Sequence, residues 1–322
     1  MLYSDDRYRP SDSIFEVAAM DFRIWNGIRF RLKLRWKAAC ALVLGIWYSC
    51  ANRIKRKTLP HGDVQVIVSL TTFHKRINTA FLTLESLFAQ RGVQYEVHLH
   101  LANSDMLKIG GRLPAAIERL RRRGLKVFFH EENLKSYKKL YYTIIQGYDV
   151  PIVTADDDIL YPNKWLKNLL DASKDNPGCI VCYRGHDLNL DRTGTVDSYK
   201  RIYERGPVSG AEPNYLLMPT GCSGVLYPPA SLARELMDPT LFMELAPTSD
   251  DIWFKLCSLV SDVRCVRVSP RNVEFLSTPD TQRHALFIEN VDGGQNDKQM
   301  RACFERYPEA LRHIRACRAR DN

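Results

Sequence analysis

The chain of 322 residues has no apolar run of the roughly 20 residues needed to span a bilayer. The stretch that comes nearest, Ala38 to Ala51 (AACALVLGIWYSCA), is too short and is flanked by bases on both sides. Acids are missing altogether between Arg23 and Lys57, where there are ten Lys or Arg. The formal net charge is +9, so that one segment accounts for the whole excess and leaves the rest about one charge negative. A nucleic-acid binder spreads its bases over the face that meets phosphate, and the body of this chain does not. Cysteine pairing is missing too. The nine cysteines are odd in number and irregularly spaced, and Cys179-Ile-Val-Cys182 is a lone pair with no partner motif for zinc. A disulfide framework is therefore excluded, and a reducing, cytoplasmic setting is expected.

What the N-terminal segment does contain is distinctive. Residues 1–21 are polar and mixed, and poor order is expected there. From Ile28 to Lys37 apolar and basic residues alternate strictly, a period of two that is not that of a clean amphipathic helix. Trp36, Trp47 and Tyr48 suit a headgroup boundary, and the flanking bases suit anionic lipid. Residues 22–57 are therefore expected to rest on a membrane surface, with residues 1–62 as an N-terminal extension and 63–322 as the folded body.

The body alternates strands and helices. Val64–Leu70 is a β-branched run of the kind buried in parallel sheets, and helical spacing follows through Phe81, Leu84, Leu87 and Phe88. Further strands are predicted at Tyr95–Leu101, Lys126–Phe129 and Pro151–Ala155, with helices at Leu113–Arg123 and Tyr137–Gln146 between them. That order predicts an α/β fold with a mostly parallel sheet flanked by helices. Ligands of such sheets bind outside the carboxyl ends of the strands, where Thr71-Thr72 and Asp156-Asp157-Asp158 both fall. Three carboxylates on the tip of a buried strand destabilise it unless a cation shares the site. Hard divalent ions take carboxylate and phosphate oxygens, so the triplet points to Mg²⁺ or Mn²⁺ and a phosphorylated substrate. The other reading of the triplet is a solvated turn that caps the next helix.

Four segments stand together: Ser69-Leu-Thr-Thr-Phe-His-Lys-Arg-Ile77, Ala155-Asp-Asp-Asp-Ile-Leu-Tyr-Pro162, Gly221-Cys-Ser-Gly224 and Thr248-Ser-Asp-Asp-Ile-Trp253. Over roughly residues 63–300 the chain resembles nucleotide-sugar glycosyltransferases of the GT-A (Rossmann-like) fold, close to the bacterial family-2-like enzymes of surface polysaccharide synthesis. The resemblance implies a nucleotide-diphosphate sugar donor, Mn²⁺ or Mg²⁺, and a lipid-linked or polysaccharide acceptor. It implies that Asp156 and Asp158 are the DxD metal pair, with Asp157 beside the donor. It places Thr71 and Thr72 near base and ribose, Arg76 on phosphate or a nearby carboxylate, and Lys138 (or its neighbour Lys139) near the diphosphate. Gly221, Cys222, Ser223 and Trp253 would lie on the acceptor side. Asp250 or Asp251 would be the general base of an inverting transfer, although acids after Thr248-Ser249 also favour a helix N-terminus. His186-Asp187 would approach one of the sugars, His284 would be a third metal ligand and Asp292–Asp297 a lid. A sugar-nucleotide pyrophosphorylase would carry a glycine-rich loop after its first strand, and here no glycine appears until Gly92. The remaining alternative is a membrane-docked scaffold in which the acids only bind cations or cap helices.

Overall fold

The computed structural model describes residues 12–56, 58–60, 62–206, 210–279 and 294–321, of which 12–31 and 318–321 are helix backbone only. The first element is a long helix, α1 (Asp12–Ile54). Then come β1 (Val66–Thr71), α2 (Ala80–Phe88), β2 (Tyr95–Ala102), α3 (Asn103–Leu107), α4 (Ala115–Arg121), β3 (Lys126–His130), α5 (Lys138–Ile144) and β4 (Ile152–Ala155). The chain continues through β5 (Ile159–Leu160), α6 (Trp165–Asp175), β6 (Ile180–Cys182), β7 (Gly185–Asp187), α7 (Tyr199–Arg205), β8 (Leu217–Pro219) and β9 (Val225–Tyr227). It closes with α8 (Pro239–Leu245), α9 (Asp250–Val260), β10 (Cys265–Arg267), β11 (Leu276–Ser277), α10 (Gln295–Arg306) and α11 (Leu311–Asp321).

Seven strands form the central sheet in the order β10-β6-β9-β4-β1-β2-β3. All neighbours pair parallel except β9, which runs antiparallel to both β4 and β6. This is the mostly parallel, helix-flanked α/β sheet that the sequence predicts. The period of two along β1 explains its two faces. Val66, Val68 and Leu70 enter one apolar core with Leu84, Leu87, Val97, Leu99 and Leu101. The alternate Ser69 turns the other way and shares a 2.8 Å hydrogen bond between its Oγ and Thr143 Oγ1 of α5. A second core lies around α9, where Trp253, Phe254 and Leu256 pack with Tyr137 and Phe242.

Register positions the crevice. Leu70 stands opposite Ala155 in the β1–β4 ladder, so the residues beyond that pair, Thr71-Thr72 and Asp156-Asp157, run on side by side. Directly after the acidic turn, β5 pairs antiparallel with β11, and the Thr278 N–H donates to the Asp158 carbonyl at 2.7 Å.

The N-terminal segment differs from expectation. The alternating stretch Ile28–Lys37 is helical, and the helix already begins at Asp12. Leu, Lys, Arg and Ala are strong helix formers, and a period of two needs a neighbouring strand that this segment lacks. From 32 to 36 every side chain is exposed, so no packed face imposes a different phase. Farther along, Ala41, Gly45 and Asn52 face the body, where α1 packs on α2, α4 and β11. Between Ala230 and Leu236 the chain makes only a 3₁₀ turn, at Arg234–Leu236, preceded by Ala230 at φ +59°.

Candidate active site

The acidic turn after β4 is held from both sides. Arg76 Nη1 lies 3.0 Å from Asp157 Oδ1 and 3.0 Å from Asp158 Oδ2. Thr72 Oγ1 donates to the second oxygen of Asp157, and Thr83 Oγ1 of α2 donates to the Asp157 carbonyl at 2.9 Å. Asp156 turns the other way: its Oδ1 accepts from Lys139 Nζ at 3.0 Å, and its backbone N–H donates to the Tyr161 hydroxyl at 2.9 Å. Burial opposes the Arg76 charge, but Asp157 and Asp158 outweigh it and raise the Arg76 pKa. Burial, followed by repulsion from Asp156 and Asp157, pushes the Asp158 carboxyl up to about 7 against the pull of Arg76. Burial also raises Asp157.

The late acidic pair opens α9 and meets the turn through Lys139. Lys139 Nζ is 3.0 Å from Asp250 Oδ2, an ionic contact whose angle is too poor for a hydrogen bond. Burial works against the lysine charge, yet Asp156, Asp250 and Asp251 together hold its pKa well above the usual value. Both Asp251 oxygens stand 3.1 Å from the Gly221 N–H, which donates to them. Burial and the Asp250 charge push Asp251 up to about 7, with Lys139 opposing.

Glycine lets the chain approach closely at this junction. A Cβ on Gly221 would lie 2.7 Å from Lys139 Nζ and 3.2 Å from Asp251 Oδ1. At Gly224, φ is +97° and a Cβ would fall 2.4 Å from the Trp165 ring, whose indole N–H donates to the Ser223 carbonyl at 2.8 Å.

Of the sequence candidates, Thr72, Arg76, Asp156, Asp157, Asp158, Gly221, Asp250 and Asp251 come together. Cys222 and Ser223 continue the same turn, Ser223 donating through Oγ to the Val273 carbonyl at 2.7 Å. Thr71 borders the group, its hydroxyl donating to the His100 carbonyl at 2.8 Å. Lys138 is buried but points elsewhere, 2.6 Å from Asn133 Oδ1 and 3.8 Å from Asp105 Oδ2. Trp253 is fully buried in the core, and its indole N–H donates to the Leu236 carbonyl at 3.0 Å. His186 is buried between Tyr199 and Tyr203, and neither ring nitrogen has a hydrogen-bond partner among the described residues. His284, Asp292 and Gly293 lie outside the described residues. Lys139, which the sequence offers only as the alternative to Lys138, is the central residue. Its signal was helical phase, four residues ahead of Thr143 on the side that faces β1.

Among the described residues no three His, Cys, Asp or Glu side chains converge as a ready metal cage. The donor set nevertheless fits a hard divalent ion that takes its other ligands from phosphate and water. Asp157 uses both oxygens on Thr72 and Arg76, whereas Asp156 and Asp158 each have one oxygen on a cation and a second to offer. Two cavities, of about 410 and 280 Å³, lie at the amino ends of the strands around Gln65, Gly92 and Val93, away from all of these groups.

No family model matches the chain, and no curated protein matches it. Solved structures do. The mannosyltransferase PcManGT from Pyrobaculum calidifontis, in complex with GDP-Man and Mn²⁺, is 15% identical over 88% of this chain and 86% of that one, with a TM-score of 0.43. S. aureus TarS 1–349 is 17% identical over 66% of this chain, with a TM-score of 0.40, and the match spans only 59% of the TarS chain. Its complex with UDP-GlcNAc gives 17%, 66%, 57% and 0.41 for the same four quantities. At TM-scores this low the likenesses carry no argument.

Proposed function

We propose that the protein is a GT-A glycosyltransferase that moves a sugar from a nucleotide-diphosphate donor to a glycan or lipid-linked acceptor with inversion. Residues 63–322 would be the catalytic domain, and residues 1–62 would hold it to the cytoplasmic face of a membrane through 22–57. The observation that carries this reading is the Lys139 bridge. It brings the acidic turn after β4 and the acidic pair of α9, far apart in sequence, to one crevice at the carboxyl ends of the strands. Five carboxylates there face two bridging cations, Arg76 and Lys139, an excess of negative charge that suits a cationic cofactor.

Asp156 and Asp158 would hold Mn²⁺ or Mg²⁺, which when bound supplies Lewis-acid neutralisation of the departing diphosphate. Asp157, bound on both oxygens, keeps the turn in shape. Asp251, aimed by the Gly221 N–H, takes the proton of the acceptor hydroxyl. The acceptor oxygen forms its bond to the anomeric carbon as the bond from that carbon to the diphosphate oxygen breaks, and the diphosphate leaves with the electron pair. Asp250 and Lys139 fix the first turn of α9 so that Asp251 stays in place.

The test is a thermal-shift series on the full chain with UDP, GDP, CMP and dTDP nucleotides, each with and without Mn²⁺. A nucleotide at a hundred times its dissociation constant stabilises by about 2.7 kcal/mol. One nucleotide acting only with metal, and losing its effect in Asp158→Ala, is the expected result. A well-folded sample that responds to none of them would overturn the transferase reading in favour of a scaffold.

A further inference from the structure

Helix α1 is built the wrong way round for a helix in water. Its inner face is small and polar: Ala41 and Asn52 are 7% and 1% exposed, and Gly45 packs against Pro279. Its outer face carries Leu42, Val43, Ile46, Trp47 and Ile54, each between 57% and 76% exposed. Residues 42, 46, 50 and 54 follow one another at helical spacing, so these side chains form a continuous stripe. A stripe of this kind on a folded body marks an interaction surface.

Charge identifies the occupant. Lys33, Arg35 and Lys37 precede the stripe and Arg53, Lys55 and Arg56 follow it, with no acid between 32 and 56. Lys55 Nζ stands 5.5 Å from the centre of the Trp47 ring. A second copy packed on this face by two-fold symmetry would bring bases against bases with no carboxylate to answer them. An anionic bilayer surface supplies both the apolar layer and the countercharge.

The helix lies along that surface and does not cross it. The uncharged stretch from 38 to 51 rises only about 20 Å, and among the described residues no helix is long and apolar enough to span. The inner face is also fastened: Asn52 Nδ2 donates to Glu85 Oε1 at 2.9 Å and to the Ala116 carbonyl at 3.1 Å, while Arg119 Nε donates to Asn52 Oδ1 at 2.8 Å.

The same fastening sets where the crevice stands. Gly45 touches Pro279, the neighbouring Thr278 binds the Asp158 carbonyl, and α2 holds Asn52 through Glu85 and the Asp157 carbonyl through Thr83. The acidic turn thus stands behind α1, separated from the lipid-facing stripe by one helix diameter, roughly 10 Å, and the Thr278-Pro279 layer. We infer that α1 seats the protein on an anionic bilayer through Leu42, Val43, Ile46, Trp47 and Ile54, and that the acceptor is lipid-linked, with its reacting hydroxyl just above the headgroups. The seating stands on α1 alone; the acceptor class rests on the transferase reading.

The experiment is flotation of the full chain with phosphatidylcholine vesicles, with and without one quarter phosphatidylglycerol, alongside the nucleotide thermal shift. Binding should require phosphatidylglycerol, fall with salt, and drop at least about tenfold in Ile46→Ser/Trp47→Ser, and about fivefold for each of Lys33, Arg35 and Arg53 changed to Ala. These side chains are exposed, so the variants should keep the parent's thermal shift. Equal binding to phosphatidylcholine alone, or unchanged binding in the double variant, would overturn the seating. So would a dimer in light scattering that the double variant converts to monomer without vesicle binding. For the acceptor, radiolabel from the responding nucleotide-sugar should enter the organic-extractable fraction of membranes; label confined to water-soluble polysaccharide would overturn that part. Vesicle binding without any nucleotide response would remove the transferase reading, and the acceptor class with it, but not the seating.

Discussion

The two carboxylate groups of the crevice are buried alike but neutralised differently. The turn after β4 faces an arginine, whose Nη1 reaches Asp157 and Asp158 together at 3.0 Å each. The pair that opens α9 meets a lysine and a backbone N–H: Lys139 serves Asp250, and Gly221 serves Asp251. The first group is a unit on one short loop, and Arg76 lies just after β1 beside it. The second exists only because α5, the Gly221 turn and α9 converge. Lys139 is also the ionic link between the groups, since it holds Asp156 as well as Asp250. Local sequence can build the first group, and only the tertiary fold can build the second.

Breaking that link should give the largest effect. In Lys139→Met, Asp156 and Asp250 lose a cation in a buried setting, and removing one partner of a buried pair typically costs about 3–5 kcal/mol. Urea unfolding of Lys139→Met and Lys138→Met side by side checks the comparison. Lys138 contacts one carboxylate at 3.8 Å and an amide, so its loss should be markedly smaller. Equal losses would mean that Lys139 has no special place between the two groups.

The glycines of the 221–224 turn come next. Gly224→Ala adds a carbon 2.4 Å from the Trp165 ring at φ +97°, so both backbone and packing are strained, and a loss of about 1–3 kcal/mol is expected. Gly221→Ala meets the flexible end of Lys139 at 2.7 Å, which can yield. Its stability loss should be the smaller of the two, but the displaced lysine and Asp251 should cost it more activity. The reverse ranking, with Gly221→Ala the less stable and the more active, would show that the Gly221 approach does not hold the base.

The same contrast explains what could be read from the residues alone. Strands β1 and β4 carry β-branched runs and β2 alternates, and the order of strands and helices predicts a parallel sheet with Thr71-Thr72 and the acidic triplet at its carboxyl ends. The late acidic pair was visible as a motif, but its role depends on helical phase. Lys138 and Lys139 are about 100° apart around α5, and Trp253 is about 200° around α9 from Asp251. Adjacent letters therefore go to different surroundings: Lys138 to Asn133, Trp253 to the Phe242 core. The alternation of Ile28–Lys37 misled for a related reason, since a period of two has meaning only where a sheet exists to pair with it.

The smallest effect is a slope with pH, to which Asp251 and, in the arginine-held turn, Asp158 both contribute. Burial and Asp250 raise Asp251 to about 7, above its ordinary value of 3.8, so the folded state keeps this proton where the unfolded chain has lost it. Its contribution to stability is fully present below about pH 4 and is lost as pH rises towards 7. One such group gives a slope of at most about 1.4 kcal/mol per pH unit. Urea midpoints between pH 4 and 7 should therefore fall less steeply in Asp251→Asn than in the parent. Transfer runs the other way, because the base must be ionised: the rate should climb with pH through about 7, and Asp251→Asn should lose both the climb and most of the rate. A variant that keeps the stability slope but loses the rate would place the titrating carboxyl elsewhere, with Asp158, which burial also raises to about 7, the next in line.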